Sequence, residues 1–458
     1  TGWMKLSSEA QMNKIISLIS LGCPKNQVDT ERMIASLEDA GYTLSDSVDG
    51  ADIVVVNTCC FIDEAKKEAI ETILEIAELK KGGFIGSIIV CGCLAQHYGN
   101  EILAQIPEID AVAGIGANGS IASIADSVFR GEKISLLPPK EELPLEGRRV
   151  LVSPPYWAYL KIAEGCSNHC SYCVIPEIRG EYRSREMESV LEEARDLAGR
   201  GVKEVILVAQ DTTAYGMDLY GEYKLPDLLK KMAEIDCLVW IRLMYCYPEK
   251  VTDELIEAIA STPKVVHYLD MPVQHINDGI LSAMNRQSTS EGIKSLIRKL
   301  RERIPDIILR TTVITGFPGE GEQDFEQLAE FVNEFEFDRF GCFAFSPQQG
   351  TPAALLENAL SEQEKADRCD ILMNDQYSVN EAKNLDKVGN IYRVLVEGYD
   401  GYSDSYSGRS YMDAPEIDTK IIFTSGKLHE EGDFVDVEIL GVSEYDLLGK
   451  ALTGLEDT

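Results

Sequence analysis

Three observations predict an α/β protein in three parts. Short apolar runs alternate with helical periodicity over residues 14–90, a longer alternation of the same kind runs over residues 158–345, and from about residue 388 short strands with glycine-rich turns replace it. The first pattern gives an amino-terminal domain with a parallel sheet, the second an open, partial (β/α)6 barrel, and the third a small antiparallel β-barrel. The boundaries read as 12–136, 152–385 and 388–458, with the proline- and charge-rich residues 137–149 as linker.

In the amino-terminal part, residues 14–21 form a buried strand closed by Gly22, residues 28–40 a helix, 51–57 (ADIVVVN) a second strand, 62–79 a second helix and 87–90 a third strand. Strands that alternate with helices pair in parallel, and ligands of such open sheets gather beyond the carboxyl ends of the strands. Cys23 lies just past the first strand, Cys59 past the second and Cys93 past the third, so the topology brings three distant cysteines to one rim. Cys60 and Cys91 are adjacent alternatives with the same chemistry.

The central part places strands at 158–163, 204–209, 239–245, 265–269, 307–314 and 339–345, with helices such as 187–200 and 291–303 between them. Directly after the first of these strands comes the run Glu164-Gly165-Cys166-Ser167-Asn168-His169-Cys170-Ser171-Tyr172-Cys173. Three thiolates at this spacing leave one coordination position open, and an open position is where a metal centre does chemistry. A structural zinc site with its fourth ligand elsewhere is the competing reading, and His169 reads as a loop residue.

Other strand ends carry weaker signals. Gln210 and Asp211 end the second strand, Gln274 and His275 the fourth, and Thr315-Gly316-Phe317-Pro318-Gly319-Glu320 follows the fifth. Glycines there let a backbone approach a ligand, although an ordinary strand-to-helix turn uses the same residues. Cys237, Cys246, Cys342 and Cys369 stand in or beside apolar runs and read as packing residues.

Composition narrows the function classes. Twelve cysteines, several clustered, suit a reducing cytosol in which thiols stay free for metal. A net charge of −34 opposes nucleic-acid binding and favours basic protein partners, and the terminal region 388–458 carries five Lys and Arg against fifteen Asp and Glu. The longest apolar runs fall short of a membrane span and the start lacks a signal-peptide pattern, so a soluble, cytoplasmic protein without membrane contact is expected.

The Cys-x-x-x-Cys-x-x-Cys spacing with Tyr172 before the last cysteine is similar to the signature of radical S-adenosylmethionine enzymes, and the whole chain from about residue 14 resembles the methylthiotransferases of that superfamily. Leu21-Gly22-Cys23-Pro24-Lys25-Asn26, Asn57-Thr58-Cys59-Cys60-Phe61-Ile62-Asp63, residues 209–216 (AQDTTAYG) and 413–418 (DAPEID) look like the subgroup that modifies a ribosomal protein rather than tRNA adenosine. Cys60 stands where that subgroup has glycine, and the family position of the ligand is Cys59.

The resemblance implies two 4Fe-4S clusters, one on Cys166, Cys170 and Cys173 and one on Cys23, Cys59 and Cys93, with the carboxyl-terminal barrel a TRAM domain. It further implies S-adenosylmethionine contacts at Tyr172, Gly316, Pro318, Gly319 and Glu320 and around Gln210 and Asp211, although the usual Gly-Gly-Glu is missing after the second strand. The implied reaction is methylthiolation of the β-carbon of an aspartate in protein twelve of the small ribosomal subunit. One S-adenosylmethionine supplies the methyl and another the radical, with electrons from a donor such as flavodoxin or ferredoxin. An acidic enzyme suits a basic ribosomal protein, whereas a tRNA enzyme calls for a positive barrel surface.

Overall fold

The computed structural model describes residues 14–452. The first two residues of the predicted amino-terminal domain and the last six of the terminal one therefore lie outside the described residues.

The amino-terminal sheet contains β1 (Ile15–Ser20), β2 (Thr43–Ser45), β3 (Ile53–Thr58), β4 (Ser87–Gly92), β5 (Ala111–Ala113) and β6 (Ile134–Leu136) in the order β2-β1-β3-β4-β5-β6, every pair parallel. β3 is buried along its whole length, as a central parallel strand covered on both faces must be. The sequence reading missed β2, β5 and β6, because three residues are too few to show a period.

Helix α1 (Pro24–Asp39) starts four residues earlier than its apolar periodicity suggests, with Pro24 in its first turn and Cys23 as its N-cap. Lys25, Asn26, Asp29, Thr30 and Glu31 are all buried in it. These polar residues hide the start of the helix from a hydrophobicity reading, and they are buried because α1 is wedged against the central domain. Helices α2 (Asp63–Lys81), α3 (Cys93–Gln105) and α4 (Ile121–Phe129) complete this part.

The central sheet begins with β7 (Trp157–Lys161). The two-residue strands β8 (Ala163–Glu164) and β9 (Arg183–Ser184) pair with each other and bracket the cysteine loop and α5 (Ile175–Arg179). Then come β10 (Glu204–Val208), β11 (Trp240–Leu243), β12 (Val265–Asp270), β13 (Ile308–Thr315) and β14 (Arg339–Ala344). The order β14-β13-β12-β11-β10-β7 is all parallel and open, the partial barrel expected.

Alternation along these strands divides the core. Ala158, Leu160, Val205, Leu207, Ile241 and Leu243 pack in the cluster shared with the flanking helices. Trp157, Tyr159, Ile206, Val208, Trp240 and Tyr268 instead continue into the core of the terminal barrel. That barrel closes from β15 (Ile391–Asp400), β16 (Ser405–Arg409), β17 (Ile421–Thr424), β18 (Phe434–Ser443) and β19 (Asp446–Ala451). It is antiparallel except for β17 and β19, which pair in parallel.

Buried ions fix both neighbours to the central domain. At the terminal barrel, Glu204 accepts from Arg242 at 2.7 Å and Arg409 at 2.8 Å, and Tyr268 donates to Asp418 at 2.7 Å. At the amino-terminal side, Arg149 pairs with Glu31 of α1 and with Glu193 at 2.5 Å, and Arg185 reaches Glu193 at 2.7 Å and also pairs with Glu146. The predicted linker 137–149 is thus strapped down by its own charges.

Candidate metal centres

In the amino-terminal sheet the strand order reverses between β1 and β3, and crevices at such switch points are where open α/β sheets bind ligands. Cys23 follows β1, Cys59 follows β3 and Cys93 follows β4, so the crevice collects all three. Gly22 permits the closest approach: its φ is +93°, and a Cβ there would lie 2.5 Å from Cys59 Cβ and 2.9 Å from its sulfur. Cys93 opens α3, and Cys23 is the N-cap of α1, its carbonyl accepting from Asn26 N at 2.9 Å and Gln27 N at 3.1 Å. Both residues therefore stand at helix N-termini.

The three thiols are shifted in different directions by their surroundings. Burial and the neighbouring thiols of Cys23 and Cys93 push Cys59 up to about 12. Burial also raises Cys93, against the pull of Arg179. Burial also raises the half-buried Cys23, yet Lys25 and Arg179 bring it below an ordinary thiol. Cys60 feels Cys93 and Cys59 and packs into the core beside Val54 and Ile73, whereas Cys91 points to the opposite core beside Met33, its sulfur 3.9 Å from the Met33 sulfur. Cys59 and Cys93 are the pair that meets Cys23.

In the central domain Gly165 permits the turn out of β8, with φ +74° and a would-be Cβ 2.1 Å from the Glu181 carbonyl oxygen. The loop is then braced from outside: Ser171 N donates to Met284 O at 3.0 Å, Ser171 Oγ to Ala283 O at 2.7 Å, and Asn285 to His169 O at 2.8 Å. His169 is exposed at positive φ, with its ring near Glu181, and stays a loop residue. Burial pushes Cys166 up to about 11 and raises Cys173, each with an added contribution from Cys170. Asn168 Nδ2 lies 3.4 Å from Cys166 Sγ, the N–H of Ile175 the same distance from Cys173 Sγ, and the Tyr247 hydroxyl 3.8 Å from Cys170 Sγ.

Among the described residues no three Cys, His, Asp or Glu side chains converge on a single ion. A four-iron cluster binds each thiolate to a different iron and requires no such point. Each centre offers three buried or half-buried thiols and a glycine that clears the approach, and the central one adds N–H donors aimed at sulfur, a donor set that fits a cluster with one iron left open.

Around the central centre, Tyr172 packs with Phe317, Phe345 and Met284, which joins the cysteine loop to the 315–320 turn. Gly316 and Gly319 both have positive φ, and Pro318 is buried between them. Glu320 is occupied internally: it accepts the Gly316 N–H at 2.9 Å and pairs with Arg368 at 2.5 Å. His275 is fully buried, accepts from Asn277 N at Nδ1, and sets Nε2 3.4 Å from Glu320 without the alignment of a hydrogen bond. Gln274 bridges to Val313 at the same rim.

Asp211 is occupied too, accepting from Ala214 N at 3.1 Å, Thr213 at 2.6 Å, Asn168 at 2.8 Å and Lys250 at 2.5 Å. Gln210 donates to Glu164 at 2.7 Å and leaves its own carbonyl oxygen buried without a partner. Of the four cysteines read as packing, Cys246 is buried, Cys342 and Cys369 are half-buried, and Cys237 is exposed. That last reading is corrected: Cys237 lies between the helix Leu225–Ala233 and β11, at the surface.

Sequence reasoning missed a charged layer between the two triads. Asp29 and Glu164 share Lys161 and Arg179: Arg179 lies 3.0 Å from Asp29 and from both Glu164 oxygens, Lys161 donates to Glu164 at 2.8 Å, and Lys161 also pairs with Asp29. Lys25 lies 3.3 Å over the ring of Tyr245, at the end of β11. A charged residue inside a strand, such as Lys161 in β7, was the available signal, since such residues are buried only when paired.

Comparison with known proteins agrees with this geometry. Residues 15–114 match the uncharacterized protein family UPF0004, 160–332 the radical SAM superfamily and 388–452 the TRAM domain. Curated relatives named ribosomal protein uS12 methylthiotransferase RimO are similar over nearly the full length. The protein of Lachnoclostridium phytofermentans is 47% identical over 95% of this chain and 99% of its own, and that of Clostridioides difficile is 47% identical over 95% and 98%. Among solved structures, the radical S-adenosylmethionine methyltransferase TsrM of Kitasatospora setae, with cobalamin and a [4Fe-4S] cluster bound, superposes with a TM-score of 0.57 at 17% identity over 75% of this chain and 77% of that one. The cobalamin-dependent radical enzyme OxsB gives 0.53 at 13% identity over 81% and 58%. At such identities these structures show the shared fold alone.

Proposed function

The chain belongs to the RimO family of radical SAM methylthiotransferases, and from that premise we propose that it installs a methylthio group on the β-carbon of an aspartate of ribosomal protein uS12. The observation that carries this reading is the pair of three-cysteine centres at the carboxyl ends of two parallel sheets, with one buried layer of charge between them. A radical enzyme with a second cluster on its substrate side has the parts for sulfur insertion at an unactivated carbon.

In this reading residues 152–385 generate the radical, with Cys166, Cys170 and Cys173 holding a 4Fe-4S cluster, and residues 12–136 hold a second on Cys23, Cys59 and Cys93. When bound, the first cluster and S-adenosylmethionine supply a one-electron cleavage that yields a hydrogen-abstracting radical, and a further S-adenosylmethionine supplies the methyl group. The chain's own residues position these groups. Tyr172, which packs on Phe317, and Gly316, Pro318 and Gly319 would line the S-adenosylmethionine site, and the buried, unpartnered oxygen of Gln210 would accept from its amino group. Asp211 and Glu320 act by holding loops, Asp211 the cysteine loop through Asn168 and Lys250, Glu320 the 315–320 turn through the Gly316 N–H.

Residues 388–458 form the TRAM domain that receives the protein substrate, whose basic character complements the acidic barrel. The same charge opposes tRNA, the substrate of the alternative adenosine-modifying reading. A flavodoxin or ferredoxin serves as electron donor in the cytoplasm. Among the described residues no helix is long and apolar enough to cross a membrane.

The test is anaerobic assay of the reconstituted enzyme with S-adenosylmethionine, reductant and either uS12 or tRNA. Mass spectrometry is expected to find methylthio-aspartate in uS12. Methylthiolated adenosine with unmodified uS12 would overturn the reading.

A further inference from the structure

Arg179, the last residue of α5, lies between the two centres at 1% exposure. One guanidinium nitrogen is 3.0 Å from Asp29 and from each oxygen of Glu164, and the other donates to Asn26 Oδ1 at 3.3 Å. The same group lies within electrostatic reach of Cys93, Cys23 and Cys59. Asn26 and Asp29 follow Cys23 on α1, and Glu164 is two residues before Cys166. The Asn26 amide is itself fixed by donating to Leu21 O at 2.6 Å.

Asp29 and Glu164 balance Lys161 and Arg179, so the layer is neutral until thiolates are counted. A permanent positive charge beside a cluster favours the more negative, reduced state, and a guanidinium does not lose its proton in proteins. Lysine offers a point charge on a flexible stem and cannot span Asp29, Glu164 and Asn26 together.

We propose that Arg179 is a positioning residue of the amino-terminal centre, held in place by Glu164, Asp29 and Asn26 so that its charge raises the reduction potential of the cluster there. The proposal rests on the reading that Cys23, Cys59 and Cys93 hold a cluster.

The experiment uses the full chain with Cys166, Cys170 and Cys173 replaced by Ala, so that one cluster titrates. Iron and sulfide content and an electron paramagnetic resonance redox titration are measured for this background and for Arg179→Gln, Arg179→Lys and Glu164→Gln added to it. Arg179→Gln is expected to lower the potential, Glu164→Gln, which frees the guanidinium of one anion, to raise it, and Arg179→Lys to fall between Arg179→Gln and the background. With all cysteines present, Arg179→Gln is expected to go on releasing 5′-deoxyadenosine while methylthio product falls about ten-fold or more.

An unchanged potential in Arg179→Gln overturns the proposal. Should that variant fail to hold iron, equal potentials in Arg179→Lys and Glu164→Gln overturn it instead. A background chain that binds no cluster overturns the underlying reading of the amino-terminal centre.

Discussion

Cys166, Cys170 and Cys173 come from eight consecutive residues on one loop, whereas Cys23, Cys59 and Cys93 come from three loops spread over seventy residues of sequence. The first centre needs local features: a turn at Gly165 and bracing of Ser171 and His169 by residues 283–285. The second needs the whole amino-terminal sheet in register and α1 docked on the central domain. A loop centre tolerates damage elsewhere, while a centre assembled by topology inherits every weakness of the fold that assembles it.

The strongest way to break this comparison is to remove one ligand from each side. Cys166→Ala is expected to abolish both 5′-deoxyadenosine release and product, and Cys23→Ala to abolish product while cleavage of S-adenosylmethionine continues. Each variant is expected to lose about half of the wild-type iron, which anaerobic iron and sulfide analysis measures. Equal loss of cleavage in both would erase the division of labour.

The next effect concerns docking. Asp29→Asn leaves Lys161 and Arg179 with Glu164 alone and is expected to cost about 3 kcal/mol in denaturant unfolding of the apo protein, with preferential loss of iron from the amino-terminal centre. Acid should reach the same joint. Desolvation raises the half-buried Glu193, but Arg149, Arg185 and Arg32 hold its carboxyl down at about 2. Its folded value lies below its unfolded one, so its contribution is complete above about pH 5 and disappears as pH falls toward 2. Stability of apo wild type should therefore fall more steeply between pH 5 and 2 than that of Glu193→Gln, followed by thermal unfolding across that range.

Smaller still is Gly22→Ala, which forces a strained φ and a contact with Cys59, at about 1–3 kcal/mol and with loss of amino-terminal iron. The smallest is Glu146→Gln. Glu146 is half exposed beside Arg185, and its loss is expected to cost about 1 kcal/mol or less with iron unchanged.

Both sheets were legible because buried parallel strands are apolar along their length, as 53–58 is, and the loop triad because its spacing survives in one dimension. Short strands such as 43–45 and the polar start of α1 were not, since the first has no period and the second is polar where it is buried. Gln210 and the 315–320 turn were visible as strand-end residues, but the internal partners of Asp211 and Glu320 were not, because those partners lie far away in sequence.

By itself the sequence determined the strand-to-loop placement of six cysteines and the three-part architecture, since periodicity and connection order are properties of the chain. The tertiary structure alone decided that Cys59, unlike Cys60, lies within electrostatic reach of Cys23, that the terminal barrel packs on one face of the central sheet, and that Arg179 lies between the two triads. Side-chain direction at a sheet rim and the pairing of buried charges depend on which surfaces dock, and docking is not a local property of any segment.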